Sequence, residues 1–372
     1  MKLNIKAFFL IAICTLGLAC KDKTDTPDIA MDVPIEVHEI DGITVNDPTT
    51  VENLSIFILT GKENIANKSY TTLSEAMREK RVVVNETGSV NKLSIDNNSN
   101  DYVFIHSGDI VKGGKQDRTI SYDIIIPPNE KNVPLESFCV EQGRWQQRSG
   151  EGVAAFSANT KMLSSKELKL AAKHEKNQGR VWSRVSEQQD SLNNKLSTKR
   201  GYAVNVSDNE SDTSLQLALE SEELKKEKEV LNEKLKDLIN TPDALGYAYA
   251  INGELYGVEV YNNTQLFTDL WDKILESVIV EAISKDGEEV SENRTKKDVI
   301  THMKAIKDTD KKSAKKLNAI TSFKTIENDK GDVVFSTEDL EKKKWLHKSY
   351  MQIDTTDVVS NTDNLMIRRS SY

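Results

Sequence analysis

Cysteine is scarce in this chain: three in 372 residues, Cys14, Cys20 and Cys139. Cys14 and Cys20 belong to the N-terminal stretch, so Cys139 is the one thiol left for the folded part. A disulfide framework is thereby excluded, and stability has to come from packing. Aromatic residues are also few, at 6%, beside 37% hydrophobic and 29% charged residues, which fits a soluble fold with a modest core. Excess positive charge is missing as well. The formal net charge is −9, and loss of Lys2 and Lys6 with a leader would make it −11. An acidic domain gains nothing electrostatically from nucleic acid or anionic lipid, so no nucleic-acid partner is expected. Familiar catalytic and metal signatures are absent. His38, His106, His174, His302 and His347 do not stand at metal-ligand spacing along the chain, and no HExxH, CxxC, GxSxG, GxGxxG or EF-hand loop occurs. Neither a metal nor a cofactor is expected on these grounds.

The N-terminus does carry a recognisable address. Lys2 and Lys6 precede an apolar run from Ala7 to Leu16, too short to span a bilayer as a mature helix. Leu16-Gly17-Leu18-Ala19-Cys20 then resembles a lipobox, so residues 1–19 read as a lipoprotein signal peptide and Cys20 as the lipidation site, with palmitate among the acyl chains. Acyl chains contribute about 0.8 kcal/mol per buried CH₂, which makes the lipid the membrane partner. Residues 20–32 are polar, carry Pro27 and read as a flexible tether. The expected location is the bacterial cell envelope, at the outer membrane. Lys21 and Asp22 resemble the charged export signals of surface lipoproteins, and a surface or a periplasmic orientation both stay open.

The expected fold class is α+β: a mostly antiparallel β N-terminal part with a helical insertion, then a β-hairpin and a covering helix, all in one composite domain over 33–353. Leu54–Leu59 is a continuous apolar run, as in a buried strand. Thr72–Lys80 reads as a short helix capped by Thr72 or Ser74. Tyr102–His106 and Tyr122–Ile126 are the clearest strands, the second ended by Pro127-Pro128. Gln146–Asn159 reads as an exposed loop. The insertion, 161–239, begins with a capping pattern at Ser164–Glu167, and Val181, Val185, Leu192 and Leu196 lie at helical spacing beyond it. Leu215–Ile239 reads as one helix in which Leu217, Leu224, Leu231 and Leu238 recur every seven residues, but Ser221 and Lys228 occupy the partner positions, so a narrow buried stripe is favoured over a zipper. Asn252-Gly253 predicts a type I′ hairpin turn. Leu266–Ile283 predicts a broad amphipathic helix, and Lys296–Ile320 a lysine-rich helical region. Residues 354–372 read as a frayed tail.

The polar cluster Gly113-Gly114-Lys115-Gln116-Asp117-Arg118, with Glu141, Arg144 and Trp145 downstream, is where a ligand is expected. Glycines expose backbone amides, and Lys115 and Arg118 could hold an anion. No Walker spacing is present, and a β-turn whose side chains lock the loop explains the same residues. Cys139 with His106 could form a nucleophilic pair, but a lone strand cysteine more commonly serves as a small buried hydrophobe. Glu141 is expected to pair with Arg144 or Arg118.

The run Ser107-Gly108-Asp109, Gly113 to Arg118, Pro127-Pro128, Cys139-Val140-Glu141 and Gly143-Arg144-Trp145 resembles the ARPP-1 domain family. The Asn252-Gly253 hairpin and the helix with Trp271 are similar to it too, so the resemblance spans roughly Pro34 to Gln352. The family carries no established activity, so no catalytic residue is implied. The functional expectation is a lipid-anchored, non-enzymatic binding or structural domain whose protein or small-molecule partner is unidentified. The alternatives are a hydrolytic enzyme using Asp109, Lys115 to Arg118 and Glu141, and self-association through Leu217 to Leu238.

Overall fold

Leu54–Leu59 is apolar on both faces because both faces are covered. Leu54, Ile56 and Ile58 point into one core, and Phe57 and Leu59 into another on the opposite side of the sheet. The computed structural model describes residues 39–144, 155–207, 211–287, 292–307 and 310–353. The leader, the tether, Trp145 and the C-terminal tail lie outside them.

The N-terminal part is β-rich. It comprises β1 (Glu39–Ile40), β2 (Ile43–Val45), β3 (Thr49–Val51), β4 (Leu54–Gly61) and β5 (Tyr70–Thr72), then helix α1 (Leu73–Arg78). There follow β6 (Val82–Ser89), β7 (Lys92–Asn97), β8 (Tyr102–Ile105), β9 (Asp109–Gly113), β10 (Arg118–Ile120), β11 (Ile124–Ile126), β12 (Val133–Cys139) and β13 (Phe156–Leu163). Thr72 caps α1 by accepting from Glu75 N. The helical part holds α2 (Lys166–Leu170), which runs into a π-helical turn at Ala171–Glu175, then α3 (Gln178–Arg200), α4 (Leu215–Leu219) and α5 (Glu222–Leu235). The chain returns through β14 (Ala244–Ile251) and β15 (Glu254–Tyr261) to α6 (Thr264–Ser284) and α7 (Lys296–Met303). It ends in β16 (Lys311–Lys316), β17 (Thr321–Glu327), β18 (Asp332–Asp339) and β19 (Lys344–Gln352).

The fold is α+β, with three sheets among the described residues. The large one has ten strands in the order β1-β2-β4-β14-β15-β19-β18-β17-β16, with β3 beside β4. A six-stranded sheet runs β13-β9-β10-β12-β7-β6, and a three-stranded one runs β11-β8-β5. Pairing is antiparallel except between β5 and β8. The returning hairpin lands on β4, with Tyr247 opposite Ile58. Its turn has φ of 51° at Asn252 and 76° at Gly253, the positive values that a type I′ turn requires.

Helix α6 covers the large sheet and also packs on β13, α3 and α5. Its Leu266, Phe267, Leu270, Trp271, Ile274 and Val278 join the same core as Val181, Val185, Leu192 and Leu196 of α3. Helix α7 seals the other face through Val299, Ile300 and Met303. Two expectations fail. The lysine-rich region does not stay helical: α7 ends at Met303, and Lys311–Lys316 is an edge strand with every residue exposed. That strand has no apolar stripe to bury as a helix, so pairing with β17 decides its form. Residues 215–239 form two α-helices rather than one, because the chain breaks at Glu220 and Ser221 before α5 starts. A third expectation, the exposed loop at Gln146–Asn159, fails at its C-terminal end, where buried Phe156 opens β13; its residues up to 154 lie outside the described ones.

Candidate functional site

The expected site is a hairpin end. Gly113 and Gly114 have φ of 120° and 60°, which lets the chain reverse between β9 and β10. A Cβ on Gly114 would stand 3.0 Å from Phe156 Cζ, so the turn is also packed from above. Lys115 is exposed at its tip. Gln116, Asp117 and Arg118 turn inward and are buried, as is Glu141. Asp117 Oδ1 accepts from Gly113 N at 3.0 Å, and Asp117 Oδ2 from Ser214 Oγ at 3.0 Å. Glu141 accepts from Asp117 N (3.1 Å) and from Arg144 Nε (2.6 Å). Arg144 Nη1 donates to Gly114 O at 3.2 Å. Burial opposes ionisation of Glu141, but its bonds to Arg144, Ser211 and Asp117 N and the Arg144 charge together outweigh this and lower its pKa. Gln116 Nε2 donates to Glu141 O (2.9 Å), and Gln116 Oε1 accepts from Cys139 Sγ (3.0 Å). Arg118 lies 3.7 Å from Glu86, a loose pair, and its Nε makes no hydrogen bond to protein.

These groups tie four elements together. Ser214 caps α4 while holding Asp117. Gln178, in the first turn of α3, exchanges two hydrogen bonds with the backbone of Cys139. Burial pushes the Cys139 thiol up to about 11, so it is not a nucleophile at neutral pH. Its partner is Gln116, whereas His106 partners other groups. Trp145 lies outside the described residues.

A second polar cluster is built where the small sheet meets the large one. His106 and Asp123 follow and precede the paired residues Ile105 and Ile124 of β8 and β11. On the large sheet, Thr337 of β18, His347 of β19 and Tyr261 of β15 stand opposite one another in adjacent strands, and Glu259 shares the Tyr261 face two residues earlier. His347 Nδ1 meets Asp123 Oδ2 at 2.8 Å, and Thr337 donates to the same oxygen at 3.0 Å. His347 Nε2 lies 2.7 Å from Glu259 Oε2, but the angles do not make a hydrogen bond, and neither atom has another partner. His106 Nδ1 meets Ser107 O at 2.7 Å, and Tyr261 hydroxyl meets His106 Nε2 at 2.8 Å. The Tyr261 and His347 rings stack at 4.4 Å. His106, Asp123, Glu259 and His347 are all buried.

Burial drives His106 down to about 4, so it is neutral. Burial also works against a charge on His347, but Asp123 and then Glu259 overcome it and raise that group to about 9. Burial opposes ionisation of Glu259, which its contacts with His347 and Lys169 nevertheless bring to about 2. Lys173, lowered by burial to about 8, stands over the Phe335 ring. Neighbouring Asp109 pairs with Lys273 of α6 and accepts from His106 N.

A third feature is open to solvent. A groove of about 820 Å³ runs between α7 and the β16–β19 end of the large sheet. Met303, Val334 and Tyr350 line its floor, and five lysines, 304, 307, 312, 324 and 348, line it against two acids, Asp41 and Glu338.

Sequence reasoning located the hairpin because its residues are contiguous. It missed Glu259, Tyr261 and His347 as partners of His106, because spacing along one strand says nothing about neighbours across strands. One signal was present: both hairpin strands are nearly apolar throughout, which implies two buried faces and therefore a buried Glu259 between Val258 and Val260.

Comparison with known proteins gives one positive finding. The sequence model of the ARG and Rhodanese-Phosphatase-superfamily-associated Protein domain, ARPP-1, matches residues 42–351. No curated protein and no solved structure matches. Among the described residues no helix is long and apolar enough to cross a membrane.

Proposed function

The chain belongs to the ARPP-1 family, and on that premise we propose a non-enzymatic binding domain of the bacterial cell envelope. It is held at the outer membrane by lipid on Cys20, and it takes an acidic polypeptide segment in the groove beside β16. The observation that carries this reading is the sign of the groove: a lysine-rich rim over an apolar floor in a chain of formal charge −9. Complementary charge steers such a partner and fixes its register, while the floor supplies the apolar contact. The lysines of the edge strand also disfavour pairing with a like edge, so an acidic strand is the one suited to it. A hydrolytic role for Lys115 to Arg118 and Glu141 draws little support, because Asp117, Glu141 and Arg144 are engaged with one another.

The test is a calorimetric titration of the full chain with a synthetic peptide alternating glutamate and leucine. Saturable binding is expected, weaker at high salt, and about tenfold weaker for the variant carrying Lys307→Glu and Lys312→Glu, a change of about 1.4 kcal/mol. No binding, or equal affinity in the variant, refutes the reading. Self-association of the chain that the peptide does not disturb would give the groove to a second copy instead.

A further inference from the structure

Three donor atoms converge in the buried cluster between the small and the large sheet. One ligand atom each from His106, Glu259 and His347 can be chosen so that all lie within 4.8 Å of one another. The surroundings of each donor are more telling than the spacing. His347 Nδ1 is engaged by Asp123 and His106 Nδ1 by the Ser107 carbonyl. An acceptor at Nδ1 fixes a ring proton there and turns Nε2 toward the cluster, the arrangement that orients metal-bound imidazoles; an ion would displace the Nε2 proton of His347 and the Tyr261 bond at His106 Nε2. The second observation is the contact of His347 Nε2 with Glu259 Oε2: 2.7 Å apart, misaligned for a hydrogen bond, buried and without other hydrogen-bond partners in the protein. In the metal-free chain the two atoms form an ion pair that lacks hydrogen-bond geometry, and an ion between them would satisfy both.

We propose that His106, Glu259 and His347 bind a divalent transition-metal ion of the zinc class, which pins the three-stranded sheet to the ten-stranded one. Two imidazoles and one carboxylate suit such an ion. At metal–ligand distances of roughly 2.0–2.2 Å tetrahedral donors stand about 3.3–3.5 Å apart, so His347 Nε2 and Glu259 Oε2 separate and the wider donor pairs close in to admit it. Tyr261 hydroxyl, beside His106 Nε2, is placed as the fourth group. Lys169 faces the other carboxylate oxygen, Glu259 Oε1, at 3.9 Å, so Oε2 stays available. Asp123 behind His347 and Glu259 in front of it supply the negative charge nearest the ion. The site is enclosed, so the ion enters during folding and its role is structural. This inference is independent of the groove.

The test uses the full chain, refolded from denaturant with Zn²⁺ and, separately, with Co²⁺. Expected results are one ion per chain by elemental analysis, visible ligand-field absorption for Co²⁺, and a zinc X-ray absorption fine structure showing two imidazole ligands with oxygen and no sulfur. His106→Ala and Glu259→Gln should each lower occupancy at least tenfold, while Cys139→Ala keeps it. The absorption measurement needs no variant, so it stands even if the variants fail to fold. A refolded native chain that binds less than about a tenth of an ion per chain, a first shell of oxygen alone, or full occupancy in both variants would overturn the proposal.

Discussion

Glu281 shows what a single buried group does to this molecule. It sits in α6 with Oε1 accepting from Lys166 N and Oε2 from Tyr249 hydroxyl. Burial, reinforced by Glu167, raises its pKa from 4.5 to about 7. The folded chain therefore keeps a proton that the unfolded chain releases between those values. The Glu281 contribution to stability should fall as pH rises from about 4.5 through about 7 and level off above. Glu281→Gln removes the charge while its Oε1 accepts from Lys166 N and its Nε2 donates to the Tyr249 hydroxyl. Chemical denaturation at pH 5 and pH 8 should find the variant near the native chain at pH 5 and more stable by roughly 2–3 kcal/mol at pH 8. A constant difference at both pH values would contradict the raised pKa. At this scale the sequence was partly legible. Gln116, Asp117, Arg118, Glu141 and Arg144 could be grouped because short loops hold them close. Glu259 and His347 could not, because only strand register brings them to one face.

Among the elements, local signals were the readable ones. Ser165 caps α2, Thr72 caps α1, and Asn252-Gly253 turns the hairpin, each by chemistry confined to three or four residues. Helix α5 shows why the seven-residue leucine interval is not a zipper. Leu224 and Leu231 lie in the same core as Trp271, while Val230 on the opposite side is 51% exposed. Leu231→Ala should cost about 2–4 kcal/mol, and Val230→Glu should stay within about 0.5 kcal/mol. Both should leave the mass by light scattering unchanged, whereas a zipper would lose stability and dimer together at Leu231. Strand β16 was not legible: its residues carry no periodicity, and its conformation comes from the neighbour it pairs with.

For the whole molecule, the α+β class followed from strand runs and one broad helix, but the order of strands did not. The ten-stranded sheet takes strands from both ends of the chain, β1 to β4 and β14 to β19, with the helical residues between them. No local pattern encodes such a closure. The lipid anchor is argued from residues outside the described ones, and its test is direct. Cys20→Ser should move the chain from the detergent phase to the aqueous phase in a detergent-partition assay, with the folded part unaffected. Retention in the detergent phase would remove the lipid from the account.

The central claim is that a partner occupies the lysine-rimmed groove while the Gly113–Arg144 hairpin serves the fold. Hydrogen–deuterium exchange of the full chain with and without the acidic peptide tests this most directly. Added protection is predicted at residues 311–327 and at the C-terminal end of α7, with Gly113 to Arg118 unchanged. Protection at Gly113 to Arg118, with none along β16, would contradict it.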